Sequence, residues 1–430
     1  MENTHRSSNL FPILKRHKYH TNTIMSNIRL VFILASLLVS SFATTAQRKA
    51  VFIILDGIPA DVIEKIETPV LDEISSHGGY TRAYVGGEKG TYNESPTISS
   101  PGYNHLLTGV WTNKHNVWDN EIEAPNYHYW NIFRIAKKAH PDIKTAIFSS
   151  WKDNRTKLVG EGLPAAGAIQ LDYSYDGLEH DTVRFPHTKD RKFMLEIDEA
   201  VSMEAARYIL EKGPDLSWVY LEFTDDMGHM YGDGPQFYDA VRKADAQVGK
   251  IWKSIKEREA KSGEEWMIVI TTDHGRDVKT GLHHGGQSDR ERTTWIVTNL
   301  QDLNDHFRQS PAVVDIMPSI MRFMKITIPK SVKEEIDGIP FTGNVSLSDL
   351  EAKRVGKSVE LTWTVLDPKG KLEVLVANSN KFREGKPDTY ASVGKADVEK
   401  GTFTFDSKHS DGFLKILVKA PHNWVNVWVE

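Results

Sequence analysis

The stretch Val51-Phe-Ile-Ile-Leu55, followed directly by Asp56-Gly57, indicates the fold of this chain. Five consecutive apolar residues are typical of a strand that is buried on both faces, as in a parallel sheet. Four further apolar runs follow: Thr145-Ala-Ile-Phe148, Trp218-Val-Tyr-Leu221, Trp266-Met-Ile-Val-Ile270 and Trp295-Ile-Val297. Apolar residues at helical spacing from Phe237 to Ile255, after Pro235, predict a helix between two of these strands. The alternation predicts an α/β fold over residues 47–344, with a mostly parallel central sheet and helices on both faces.

The pattern changes near residue 345, where apolar residues begin to alternate strictly with polar ones. One apolar face consists of Val359, Leu361, Trp363 and Val365. Similar short runs continue to Val429, so that several period-2 strands occur within about 85 residues. This pattern predicts a C-terminal β-sandwich of the immunoglobulin or fibronectin type III kind over residues 345–430. The small and polar stretch from Thr342 to Ser346 marks the predicted boundary.

The first 46 residues predict a removable export signal. A basic segment ending at Arg29 precedes a ten-residue apolar run from Leu30 to Val39, and small residues then lead to Ala46. A membrane anchor is the alternative, but this run is shorter than the roughly 20 apolar residues that span a bilayer. We therefore expect an exported protein, periplasmic or secreted, without a transmembrane anchor. Met25 lies just upstream of this basic segment and is, with Met1, a candidate start of translation.

Composition limits the chemistry that the chain supports. Its 430 residues include 17 His and no Cys, and its net charge is −5. The absence of Cys excludes a disulfide framework, a Cys-ligated zinc site and a Cys nucleophile, so a metal must be held by His and carboxylates. Residues 1–46 carry five Lys or Arg and one Glu, so their removal changes the net charge to −9. Such acidity argues against nucleic acid as the main partner, and an anionic substrate then needs a locally cationic site.

Acidic and His-containing motifs follow three of the predicted strands and precede a fourth. They are Leu55-Asp56-Gly57, Asp225-Asp226-Met-Gly-His229, Thr272-Asp273-His274-Gly275 and Leu282-His283-His284-Gly285-Gly286. Each motif alone is typical of a capped turn. Because ligands bind at the carboxyl ends of parallel strands, we expect the four motifs to meet there. Together they offer six donors that suit zinc, enough for a two-metal site: Asp56, Asp225, His229, Asp273, His274 and His284.

Two divalent ions side by side stabilise the attacking and leaving oxygens of a phosphoryl displacement. A nucleophile for that reaction is predicted at Ser99. Pro101 suits the first turn of a helix, with Ser100 as its cap, so Ser99 would lie beside a helix N-terminus that favours phosphate. An ordinary Ser-rich cap is the alternative, and Thr97 and Ser100 are neighbouring candidates for the nucleophile.

In their order and spacing, these motifs resemble the alkaline phosphatase superfamily, and most closely its type I phosphodiesterase/nucleotide pyrophosphatase branch. The resemblance covers residues 48–330. It implies that one zinc ion is held by Asp56, Asp273 and His274, with Ser99 bridging. It implies that a second zinc ion is held by Asp225, His229 and His284. It also implies that Asn120, in Trp118-Asp-Asn120, binds a phosphate oxygen.

The chain departs from this family's pattern at several positions. Ser99 stands where the phosphodiesterase branch usually has Thr. Asp226 and His283 each adjoin an expected ligand, so a shift by one residue is open at both places. The related sulfatases carry Arg where this chain has Tyr103, and the chain has no Cys to convert to formylglycine. These differences argue against a sulfatase.

The expected activity is that of a phosphodiesterase/nucleotide pyrophosphatase acting through a covalent phospho-Ser99 intermediate. A phosphomonoesterase is the alternative, because Trp151-Lys152-Asp-Asn-Arg155 looks like the Lys-Asp-x-Arg region that binds phosphate in some monoesterases of the superfamily. Lys152 and Arg155 would then contact the substrate, although a solvated charged loop has the same composition. A non-catalytic surface binding protein is a third alternative.

The substrate class stays open at the level of sequence. A nucleotide, a lipid headgroup and a phosphorylated glycan all carry the required phosphoric ester. Aromatic residues after the Ser99 region could stack on a nucleobase, but Trp and Tyr more often belong to a core. They are Trp111, Trp118, Tyr127, Tyr129 and Trp130.

Overall fold

The computed structural model describes residues 47–406 and 412–429, so the predicted export signal lies outside the described residues. Seven strands form a central sheet: β1 (Arg48–Leu55), β2 (Gly79–Tyr84), β3 (Thr145–Ser149), β4 (Tyr173–Tyr175), β5 (Leu216–Leu221), β6 (Glu265–Thr271) and β7 (Thr293–Thr298). Their spatial order is β2-β7-β6-β1-β5-β3-β4.

The central sheet is mostly parallel, as predicted. The neighbours from β6 to β4 all pair in parallel, whereas β7 runs antiparallel to both β6 and β2. The apolar runs predicted five of the seven strands. They did not predict β2, whose outward residues alternate with inward ones, or β4, which has three residues.

Helices cover both faces of this sheet, which confirms the predicted α/β class. The longer ones are Pro69–His77, Ser99–Thr108, Ile132–Ala139, Lys192–Lys212, Phe223–Tyr231, Pro235–Ser262 and Ile316–Phe323. Short helical segments span Ala60–Ile63, Thr112–His115, Asn154–Val159, Asp289–Arg292 and Lys330–Lys333. Alternate residues of β1 belong to two separate cores, with Phe52 and Ile54 on one face and Ile53 and Leu55 on the other. The helix predicted after Pro235 is present, with this proline as its first residue.

The C-terminal part consists of antiparallel strands in two sheets, as predicted for a β-sandwich. Its strands are β8 (Leu347–Val355), β9 (Ser358–Val365), β10 (Lys371–Ala377), β11 (Ala391–Asp397), β12 (Thr402–Asp406), β13 (Leu414–Lys419) and β14 (Trp424–Val429). One sheet has the order β11-β10-β13-β14 and the other β12-β9-β8. Leu361, Val374 and Ile416 belong to the apolar core of this part. The boundary between residues 344 and 345 stays a prediction.

Within the described residues, no helix combines the length and the apolar character that a bilayer crossing requires.

Candidate metal centre

The predicted ligands meet at one edge of the central sheet. Asp56 directly follows β1, and Asp273 and His274 follow β6. His284 lies in the loop before β7. Because β7 is antiparallel to β6, the start of β7 lies at the edge where β6 and β1 end. The motif before β7 therefore reaches the same edge as the carboxyl ends of the parallel strands, where ligands bind in such sheets.

Two further ligands lie on the helix Phe223–Tyr231, which follows β5 almost immediately. Strand β5 ends at Leu221, and Phe223 is the first residue of the helix. Asp225 and His229 are four residues apart and therefore lie on the same helix face. Their side chains are in contact, with His229 Nε2 at 3.2 Å from Asp225 Oδ2.

Three of the ligands form what we call the inner ligand group: Asp56, Asp273 and His274. The Nε2 atom of His274 lies 3.4 Å from Asp56 Oδ1 and 3.3 Å from Asp273 Oδ2, and none of the three side chains is more than 2% exposed. His274 Nδ1 lies 2.9 Å from the Gly275 carbonyl oxygen, to which it donates its hydrogen, so that Nε2 carries a lone pair.

The inner ligand group fits a metal ion. Asp56 Oδ1 and Asp273 Oδ2 are buried and have no hydrogen-bond partner among the described residues. Two carboxylate oxygens without a donor therefore converge with one imidazole lone pair. Buried acceptors are rarely left in this state, and oxygen and nitrogen donors of this kind suit zinc.

Two tyrosines hold the Asp56 carboxylate in place. The hydroxyls of Tyr103 and Tyr220 both donate to Asp56 Oδ2, the latter over 2.6 Å. Burial, together with the nearby charges of Asp273 and Asp225, raises the pKa of Asp56, and burial raises the pKa of Asp273 to about 7. Both pKa shifts reflect the free-energy cost of holding two ionised carboxylates in one buried site. A bound cation would offset this cost.

The outer ligand group consists of Asp225, His229 and His284. The Nε2 atoms of the two histidines are 3.0 Å apart, and His284 Nε2 lies 3.9 Å from Asp225 Oδ1. The Nδ1 atoms of both rings lie within hydrogen-bond distance of backbone carbonyl oxygens, so their Nε2 atoms face one another. The His284 ring stacks on His274 at a centroid distance of 3.7 Å, which brings the two groups side by side.

Arg276 is a buried part of this site that the sequence analysis missed. Its guanidinium donates to the backbone carbonyl oxygens of Asp225 (2.8 Å), Gly57 (3.0 Å) and Gly281 (3.2 Å), and to Asp225 Oδ1. One side chain thus ties together three of the ligand-bearing segments. Burial alone would raise the pKa of Asp225, but Arg276 and then His229 lower it. In the sequence, this role of Arg276 is indicated only by its being a basic residue among several acidic ones.

Ser99 is the first residue of its helix, and its Oγ lies 3.4 Å from His274 Nε2. The prediction of Ser100 as the cap is wrong, because the extended residue Ile98 is the cap and the helix therefore begins two residues earlier, at Ser99. Thr97 Oγ1 already bonds to the backbone of Gly285 and Gly286. Of the three hydroxyl candidates, Ser99 is the one that contacts a predicted ligand.

Asn120 lies beside the start of the same helix. Its Oδ1 accepts a hydrogen bond of 2.9 Å from the backbone N–H of Ser100. Because the amide oxygen is engaged in this way, the NH₂ group is left to donate elsewhere. The structure therefore brings Asn120 to Ser99 across about 20 residues of chain.

The neighbouring alternatives have other partners. Asp226 accepts a hydrogen bond of 2.7 Å from Arg191, and the His283 side chain is exposed. Arg155 is held by two carboxylates, with Asp176 in a two-pronged contact of 2.6 and 2.9 Å and Glu161 at 2.7 Å. Its charge is therefore compensated by these two carboxylates. Lys152 is exposed.

Comparison with known proteins agrees with the predicted family. The family model described as type I phosphodiesterase / nucleotide pyrophosphatase matches residues 50–280, more than half of the chain. Ectonucleotide pyrophosphatase/phosphodiesterase family member 7 of Rattus norvegicus is 23% identical over 266 residues, covering 59% of this chain and 56% of the rat protein. GPI ethanolamine phosphate transferase 2 of Schizosaccharomyces pombe is 27% identical over 123 residues, covering 25% and 16%. This chain thus spans about half the length of the rat relative and less of the yeast one.

Solved structures with similar folds are distant. A murine ectonucleotide pyrophosphatase/phosphodiesterase 5, an inactive form in complex with AMP, has a TM-score of 0.46 at 14% identity, covering 66% of this chain and 96% of the murine one. The phosphonate monoester hydrolase of Agrobacterium radiobacter has a TM-score of 0.47 at 12% identity, covering 89% of both chains.

Proposed function

This chain belongs to the type I phosphodiesterase/nucleotide pyrophosphatase family, and we propose that it hydrolyses phosphoric diesters at the two ligand groups. The observation that carries the proposal is the convergence of unpaired acceptors in the inner ligand group, next to Ser99. A bound cation would balance the negative charge of these acceptors. A hydroxyl beside a bound cation loses its proton more readily and is therefore a stronger nucleophile.

We propose two zinc ions, one in each ligand group. All six donors are carboxylate oxygens or imidazole nitrogens, and both types suit zinc. When bound, zinc supplies positive charge that stabilises the attacking and leaving oxygens at phosphorus. That charge also attracts an anionic substrate to a chain that is acidic as a whole.

Ser99 performs the first displacement in this proposal. Its Oγ forms a bond to phosphorus while the bond from phosphorus to the leaving oxygen breaks, and the Ser99 hydroxyl proton passes to solvent. A water molecule then attacks the phospho-Ser99 intermediate and the bond from phosphorus to Oγ breaks. One proton of the water passes to Ser99 Oγ, which regenerates the hydroxyl, and its oxygen stays on phosphorus. Asn120 donates from its amide NH₂ group to a phosphate oxygen, while its Oδ1 stays on the Ser100 N–H.

Nucleotides fit this proposal, as do lipid headgroups and phosphorylated glycans, because each presents a phosphoric ester. Export is also part of the proposal. Its support is the basic segment, the short apolar run and the small residues within positions 1–46.

Replacement of the nucleophile tests the proposed function. Ser99→Ala is expected to lower turnover of bis-p-nitrophenyl phosphate by at least about 10³-fold, since the covalent step is lost. Zinc content measured by atomic emission should remain near the wild-type value. Ser76→Ala, at an exposed helix position, is the matched control. Retained activity in Ser99→Ala, or wild-type activity unaffected by EDTA, would contradict the proposal.

A further inference from the structure

A second pocket lies at the junction of the α/β part and the C-terminal sheets. It has a volume of about 300 Å³, which is at the lower end for pockets that bind small molecules. Its apolar lining includes Met321, Ile326 and Ile336, and the indole of Trp424 forms part of its wall. Arg322 and Lys333 are the cationic residues of the lining.

Neither cation has a carboxylate within ion-pair distance among the described residues. The guanidinium of Arg322 donates to three backbone carbonyl oxygens, those of Thr342 (2.9 Å), Asn344 (2.7 Å) and His422 (2.8 Å). The ammonium of Lys333 lies 4.3 Å from the centre of the Trp424 ring. Lys419 lies at 4.4 Å from the same ring, but it is paired with Glu334 at 3.0 Å.

Both cations are thus partly buried without an ion-pair partner among the described residues. Burial lowers the pKa of Lys333, and the charges of Arg322 and Lys419 lower it further. Burial also lowers the pKa of Arg322, and the charge of Asp302 offsets only part of this shift. Removing a charge from water without a counter-charge is costly, so an anion bound between these groups would relieve a cost that the fold already bears.

We infer that this pocket binds a small organic anion whose charged group contacts Lys333 and Arg322 and whose apolar body lies on the Met321 side. A carboxylate, sulfonate or phosphate group satisfies the cations. The apolar lining and the Trp424 indole favour a hydrocarbon or aromatic body over a fully hydrated ion. The residues that line the pocket thus favour an amphiphilic ligand.

The pocket is separate from the metal centre. Residues next to it are bonded to Gly109, which ends the Ser99 helix: the backbone N–H groups of Asp337 and Gly338 donate to the Gly109 carbonyl oxygen over 2.9 and 3.1 Å. A ten-residue helix is about 15 Å long, and Ser99 is at its opposite end. Binding at this pocket therefore does not depend on the proposed catalytic reaction.

Isothermal titration with naphthalene-1-sulfonate tests the inference, with 1-naphthalenemethanol as the uncharged analogue. The full protein is first dialysed against EDTA and then into buffer, so that zinc at the metal centre does not bind the sulfonate. We expect the wild type to bind the sulfonate at least about tenfold more tightly than the alcohol, as a charge-assisted hydrogen bond allows. Lys333→Gln should abolish this preference, and Lys333→Arg should keep it.

Lys330→Gln is the matched control, since Lys330 lies one helical turn earlier with a 75% exposed side chain. It should bind the sulfonate within about twofold of the wild type, because an exposed charge contributes little. Circular dichroism establishes that each variant is folded. Equal affinity of the wild type for the two compounds would overturn the inference, as would unchanged sulfonate affinity in a folded Lys333→Gln variant.

Discussion

The two ligand groups share one edge of the sheet, yet they differ in burial and in how their charge is balanced. The inner group is sealed, and no cation of the protein lies within ion-pair distance of its two carboxylates among the described residues. The outer group is partly open, with the His229 side chain 42% exposed, and its carboxylate is paired with Arg276. Among the described residues, the inner group therefore has no counter-charge from the protein, whereas the outer group has Arg276.

Six similar donors therefore need not form two equivalent sites. In the inner group, every carboxylate oxygen that faces His274 is free for a metal, and Tyr103 and Tyr220 occupy the far side of Asp56. In the outer group, Asp225 divides its charge between the histidines and Arg276. We therefore expect tighter metal binding in the inner group, where more negative charge is available and less water competes.

The largest effect is expected from an uncharged substitution in the inner group. Asp273→Asn removes one of two negative charges that would face the metal, so the inner site should lose its ion. Turnover of bis-p-nitrophenyl phosphate should fall by at least about 10³-fold, because a metal supplies several kcal/mol of transition-state stabilisation. Atomic emission should show a loss of zinc in the same sample.

Asp239→Asn is a suitable control for this variant, because Asp239 is exposed and pairs with Lys243 four residues along its helix. Its activity and zinc content should match the wild type. Full zinc content in Asp273→Asn would remove the basis for assigning the inner group as a metal site.

Stability without metal should change in opposite directions in the two groups. The folded pKa of Asp273 is raised to about 7, so the metal-free fold loses stability as pH rises from about 4 to about 7. In EDTA, Asp273→Asn should therefore melt above the wild type at pH 8, by about 5 °C, and equal to it near pH 4. Asp225→Asn should melt below the wild type, since it leaves buried Arg276 without its carboxylate.

Scanning calorimetry at pH 4 and pH 8 measures both variants. A lower melting temperature for both at pH 8 would mean that the inner carboxylates are satisfied without a metal. The contrast between the groups would then rest on exposure alone.

Most of this centre was predictable because its residues follow from sheet geometry. Asp56, Asp225 and Asp273 end or follow buried strands, and the carboxyl ends of parallel strands converge whatever the details of packing. His284 was harder, because its position depends on β7 being antiparallel, and nothing in an apolar run shows the direction of a strand.

Arg276 and Tyr103 were not predictable as parts of the site. Their roles depend on which side chains meet across the fold after packing, and neither has a local pattern. The same is true of Arg155, where the sequence motif indicated a phosphate contact. Its partners Asp176 and Glu161 lie further along the chain at positions with no spacing rule.

A smaller effect is expected from Arg276→Lys, which keeps the positive charge beside Asp225 but loses the planar guanidinium group and its several N–H donors. Lys can replace only some of the bonds to Asp225, Gly57 and Gly281, so the loops should loosen. We expect a loss of about 2 kcal/mol in unfolding free energy and roughly tenfold to hundredfold lower turnover. Calorimetric zinc titration should show weakening of one site only. Equal weakening of both sites would mean that the two groups act as one unit.

The smallest effect is expected at Lys152, and it decides between diester and monoester hydrolysis. Lys152→Ala should change turnover of both p-nitrophenyl phosphate and bis-p-nitrophenyl phosphate by less than about twofold, because an exposed charge contributes little to binding. Arg155→Ala leaves Asp176 and Glu161 without their shared cation. It should therefore lower stability and affect both substrates alike. A selective loss of monoester turnover in either variant would instead assign this loop to phosphate binding and favour a phosphomonoesterase. A monoester carries one more negative charge than a diester, and binding it calls for a further cation beyond the two ligand groups.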